Sequence, residues 1–155
     1  MRREDDFEWS PLETSKHQDH IIAHVIGATA LGYFEFDQAA QILLDIGFIW
    51  TIYVDGEMGL LTQSLAINEL DTDANTRAEL LADVNSLHEE GVNADSLARL
   101  TPAPVGCLIT EVSFYAHDDR RRVLITGEQG SLVVETQLQT GEIDVGPIRA
   151  EEHLA

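Results

Sequence analysis

The chain has 155 residues, of which 44% are hydrophobic and 24% charged, and its 28 acids against 9 bases leave a formal charge of −19. A chain of this length suits one domain burying roughly 70% of its unfolded surface, and its composition argues against wholesale disorder. The acidic surplus argues against binding nucleic acid or anionic lipid, and a single cysteine, Cys107, excludes an intrachain disulfide and any multi-cysteine metal site.

The acids are spread along the whole chain rather than gathered in a tail, and Lys16 is the only lysine. Such a surface favours solubility and repels its own copies; a high-salt habitat would produce the same bias, because salt screens the repulsion. Acids follow Arg2-Arg3 with no apolar run behind them, so the start does not read as a secretory signal. Glu35, Asp37, Asp45, Asp55 and Glu57 interrupt the apolar region from Ile21 to Leu61, which argues against a membrane span. The cytoplasm is the expected compartment.

Residues 1–16 read as a polar arm, with Ser10-Pro11 breaking any early helix. A helix is expected from His17 to Phe34. Ile21, Ile22, Val25, Ile26, Ala28, Ala30, Leu31 and Phe34 occupy nearly every side of it, so it must be buried by the rest of the fold or by a partner. Gly27 and Gly32 weaken it but admit a close neighbour. Asp37 is the expected N-cap of a second helix, Gln38 to Ile46, which Gly47 stops.

At Phe48 the period changes. Phe48, Trp50, Ile52 and Val54 alternate with Ile49, Thr51, Tyr53 and Asp55, which predicts a strand; Asp55-Gly56 then predicts a hairpin with Glu57 to Leu61 returning. The competing reading continues the helix through Tyr53. Thr72 to Glu90 is the clearest helix, with Thr72 or Asp73 as cap, Gly91 as stop and a stripe of Leu80, Leu81, Val84 and Leu87. Its Glu79, Asp83 and Glu90 are assigned to water. A short helical turn from Ala94 to Leu100 and a linker, Thr101-Pro102-Ala103-Pro104, follow.

Beyond Pro104 the alternation is that of strands. Four are expected: Cys107 to His117, Arg122 to Thr126, Leu132 to Gln139, and Glu142 to Ile148, with turns at Asp118-Asp119-Arg120, Glu128-Gln129-Gly130 and Thr140-Gly141. The expected fold is therefore α+β: N-terminal helices packed on an antiparallel meander of about four strands, extended by a 48–61 hairpin. One domain is expected over 17–148, with a helical part to 100 and a β part from 105, and a tail over 149–155.

Few residues offer chemistry. His17, His20 and His24 lie within roughly 60° of one another around a helix, and three imidazoles on one stripe could hold zinc, iron or nickel. The plainer reading makes them surface histidines with His24 in the core. Asp45 stands alone among apolar residues, so it must be exposed, locally paired, or part of a site; pairing with His24 is one possibility, sharing a helix face with Gln38 and Gln41 another. Asp55 and Glu57 could ligate a divalent cation or act as acid and base, but the turn already accounts for Asp55, and Glu57 fits a solvated strand edge. Cys107 and His117 share a strand face, yet ten residues of strand span roughly 33 Å, which rules out a dyad. Arg120-Arg121-Arg122 could grip an anion or pair with nearby acids. No phosphate loop, nucleophile elbow or EF-hand loop occurs.

Three function classes follow. The foremost is a non-catalytic module that associates with itself, as a dimer, to hide the apolar surface of 21–54. The second is a metal-binding protein or metal-dependent enzyme using His17, His20 and His24. The third is a small-ligand binder with a pocket near Asp45, Trp50 and Tyr53.

Overall fold

Ser15 opens the first helix by a capping box: its hydroxyl accepts from Gln18 N–H, and the Gln18 side chain accepts from Ser15 N–H. This helix, α1, runs only from Lys16 to Val25. Ile26 is already extended, and Gly27 takes φ +90°, a conformation open to glycine and costly for a side chain. The expected helix over 17–34 is thus correct for its first half and wrong for its second, where strand β2 (Ala30–Phe36) begins.

The computed structural model describes residues 9–56, 59–66, 72–94 and 96–148. After β2 come β3 (Ala39–Leu44), β4 (Ile49–Val54), β5 (Leu60–Leu65), helix α2 (Ala74–Glu90) and β6 (Thr101–Pro102). The chain then forms β7 (Ile109–His117), β8 (Arg120–Gly127), β9 (Leu132–Gln137) and β10 (Ile143–Pro147). A short strand, β1 (Ser10–Leu12), precedes α1 and turns part of the expected arm into sheet. Sheet I has the order β1-β7-β8-β9-β10 and sheet II the order β5-β4-β3-β2-β6; all pairs are antiparallel.

The fold class is α+β, but it is mostly sheet rather than helices laid on one meander. The expected helix over 38–46 is β3, and its presumed cap is a turn: Asp37 and Gln38 take φ 55° and 58° between the paired Phe36 and Ala39. Two residues with positive φ make the tight turn that suits strand twist. The 48–61 hairpin forms, though its return strand starts at Leu60. The meander over 107–148 forms as expected, with β1 added along β7.

Every residue of β3 is buried. Ala40, Ile42 and Leu44 face a core shared with sheet I, which contributes Phe114, Val123 and Ile125. Leu43, with Ile49 of β4, faces Leu80 and Leu87 of α2 on the other side. A strand covered on both faces reads as a continuous apolar run, and period alone does not separate such a run from a buried helix. The layers are therefore sheet I, sheet II and α2. Gly32 lets α2 approach, as a Cβ there would meet Leu87 at 2.7 Å. The expected close neighbour arrives, but against a strand.

The segment expected to be a linker joins the architecture instead. Thr101 and Pro102 pair with Tyr33 and Gly32. The expected helical turn over 94–100 is absent among the described residues; a 3-10 turn spans Gly91–Asn93 and an irregular loop follows. Asp83, expected in water, organises that loop from a buried position. Its carboxylate accepts from Ala98, Arg99 and Leu100 N–H at 2.9, 2.6 and 2.9 Å. The sheets are joined where Ala30 N–H donates to Cys107 C=O, and Gly27 N–H to Ile109 C=O. No helix among the described residues is long and apolar enough to cross a membrane.

Candidate functional site

The three histidines do not act as one stripe. His17 Nε2–H donates to the Thr62 carbonyl at 2.7 Å, while His20 and His24 stack edge-to-face with ring centroids 4.8 Å apart. His24 is exposed rather than in the core. No group of three or more potential metal ligands occurs among the described residues. His17 has a structural position: with Gln18, which donates to the Leu60 carbonyl, it meets the outward backbone groups of β5. Helix α1 thus stands where a further strand would pair.

Asp45, Trp50 and Tyr53 are likewise not brought together. Asp45 lies in the exposed β3–β4 turn, not on a helix, and its carboxylate accepts from Thr29 N–H at 2.9 Å. Trp50 is fully buried in the core between the sheets, its indole N–H without a partner. Tyr53, three residues on, faces the opposite side of sheet II, beside Phe36 and Gln41. Cys107 is fully buried, and burial pushes its thiol up to about 11, only partly offset by the Ala30 N–H. A neutral thiol at physiological pH is a poor nucleophile. Arg122 pairs with Glu135 and lies 4.8 Å from the Trp9 ring, while Arg121 donates to the Asp118 and Arg120 carbonyls.

The feature that sequence reasoning missed is a strand edge. At β9–β10, Gln137 N–H donates to Glu142 C=O and Ile148 N–H to Ser131 C=O, each at 3.1 Å. The antiparallel register between them alternates, so Asp144 and Gly146 bond to β9. Ile143 and Val145 turn their N–H and C=O away, as Pro147 does its C=O. Sheet I ends at β10. Among the described residues no strand pairs with that edge; the edge strands β1 and β6 are likewise unpaired on their outer sides but span only 3 and 2 residues, and β5 is met by α1.

Val145 also forms one wall of a cleft of about 350 Å³ lined by Tyr33, Phe34, Phe36, Leu80 and Arg99. The far wall is the edge of β2. Continuing its register with β6 would set Glu35 opposite Arg99, but the Arg99 N–H is held by Asp83. The Arg99 guanidinium is held by Glu79 at 2.8 Å. Burial raises the Tyr33 phenol above its ordinary range. The chain matches no protein-family model, and no curated protein or solved structure is significantly similar to it.

Proposed function

We propose that the protein is a non-catalytic self-association module that dimerises through β10. The observation behind this reading is that no strand among the described residues pairs with the outward backbone groups of Ile143 and Val145. An unpaired edge is a ready template for another strand, and proteins usually cover it. The apolar stretch over 21–54 is mostly buried within the chain by sheet I and α2, so it offers little face for association.

A second copy fits this edge by its own chemistry. Antiparallel pairing about a twofold axis at Val145 lets the Val145 residues bond reciprocally. Each Ile143 N–H then reaches the Pro147 carbonyl of the other copy. Asp144 falls opposite Gly146, so the pairing avoids setting two aspartates face to face, as a one-residue shift would. The residues with the most chemical character have structural positions: Asp45 at Thr29, Asp83 on the 98–100 loop, His17 on β5, Cys107 in the core. That pattern favours a module over an enzyme.

Sedimentation at micromolar concentration tests the reading, with a mass of two chains expected. Val145→Pro should give one chain and an unchanged circular dichroism spectrum, because the N–H it removes lies outside the β9 ladder. Gly146→Asp should do the same by setting an aspartate opposite each Asp144 across the axis, in space that is open in the single chain. A wild-type mass of one chain, or folded variants that keep the double mass, would overturn the proposal.

A further inference from the structure

The side of sheet II that faces α2 carries an anomaly. Beneath the helix its row is apolar, Leu43 beside Ile49. One row further along it is polar: Gln41, Thr51 and Gln63 stand abreast on β3, β4 and β5. Gln41 and Thr51 are 3% and 4% exposed. Thr51 donates its hydroxyl to Gln41 Oε1 at 2.7 Å, and Gln41 Nε2 donates to the Phe36 carbonyl at 3.3 Å. A side-chain amide has two donor hydrogens and two acceptor lone pairs, so this pair keeps a donor and acceptor positions in reserve.

The next row is Phe36, Ala39 and Tyr53, on adjacent strands. Two aromatic side chains thus flank a small one. Their strands are separated by about 9.5 Å, two strand spacings. A flat ring in contact with an aromatic face on each side needs about 7–8 Å between those faces. These two rows line a hollow of about 440 Å³, which Leu65 also borders.

We propose that this hollow binds a small, neutral, planar ring carrying an amide, of the lactam or ureide kind found in free nucleobases. The ring stacks between Phe36 and Tyr53 above Ala39, and its amide meets the spare groups of the Gln41–Thr51–Gln63 row. Asp37 at the rim and the acidic surface disfavour an anion, and the polar row itself offers only amides and a hydroxyl, which pair with neutral donors and acceptors. The site is separate from β10, and its test does not depend on dimerisation.

The experiment is an NMR or calorimetric titration of the full chain with uracil. Saturable binding is expected, with shifts confined to the strands around Tyr53. Two controls isolate the parts: 1,3-dimethyluracil keeps the ring but lacks N–H donors, and toluene keeps only the apolar face. Both should bind more weakly. Tyr53→Ala should weaken uracil about tenfold, the scale of one lost stacking contact, and Tyr53→Phe should restore it. Gln63→Leu should weaken uracil and leave toluene unchanged. No saturation at millimolar uracil, equal binding of toluene, or indifference to Tyr53→Ala would overturn the proposal.

Discussion

The two sheets are alike in size and direction but differ in what covers them. Sheet II has sheet I on one face and α2 on the other; the outward face of sheet I has no layer over it among the described residues. That difference decides how each appears in the sequence. Leu132, Val134 and Thr136 alternate with Val133, Glu135 and Gln137, buried against half-buried, so β9 is visible as a strand. The Ala39–Leu44 segment has no wet side and no alternation. A residue's period reports its surroundings as much as its backbone, and two dry faces erase the signal.

The same contrast sets the largest expected effects. Ile42→Ala and Leu43→Ala remove side chains packed on opposite faces of one strand, and each should cost about 3 kcal/mol in urea unfolding. Leu124→Ala and Val133→Ala, on the outward face of sheet I, should each cost about 1 kcal/mol or less. Equal losses in both sheets would mean that the outward face is covered in solution, and any self-association would then involve that face rather than the β10 edge.

Asp83→Ala should come next. It leaves the N–H groups of Ala98, Arg99 and Leu100 without their acceptor, at a cost of about 2–4 kcal/mol. Hydrogen exchange should rise at those amides before it rises in sheet I. Loss confined to sheet I would break the assignment of this loop to the α2 side.

Cys107 reports on the joint between the sheets. Its buried thiol, pushed up to about 11, should resist alkylation at neutral pH until the chain unfolds. Rapid labelling of the native protein would show that the joint opens.

The smallest effect belongs to α2 alone. Asp73 caps the helix, and the Thr76 N–H holds its carboxyl below the usual carboxylate range. Its folded value is lowered, so its contribution is present at neutral pH and fades as pH falls through that lowered value. Asp73→Asn keeps a cap acceptor and should flatten this part of the thermal midpoint against pH. A midpoint that still falls equally would assign the acid sensitivity elsewhere. Raising salt should strengthen the proposed dimer, since screening relieves repulsion between acidic copies; weaker association in salt would count against pairing at β10.

Much of the fold was legible. A cap at Thr72 or Asp73, of which the fold uses Asp73, and Gly91 as stop marked α2, turn residues marked β7 to β10, and Asp55-Gly56 marked the β4–β5 hairpin. The first half of the 17–34 helix was legible from its pattern, and the second half was not. In the pattern Gly27 is a weak helix residue, whereas the fold uses it to end the helix. The candidate sites were less legible. Tyr53 was visible as a candidate, but its partners Phe36 and Gln41 come from other strands. The β10 edge has no side-chain signature at all, because its donors and acceptors belong to the backbone.

By itself the sequence determined the α+β class, the acidic surface, α2 and the hairpins of the C-terminal half. These rest on local physics: caps, turn residues and strands with one wet face. Tertiary structure alone decided that 30–44 is sheet, that Asp83 works from the interior, and that no strand among the described residues pairs with the outer edge of β10. Each of those depends on which surfaces meet, and contacts between distant segments leave no period within either segment.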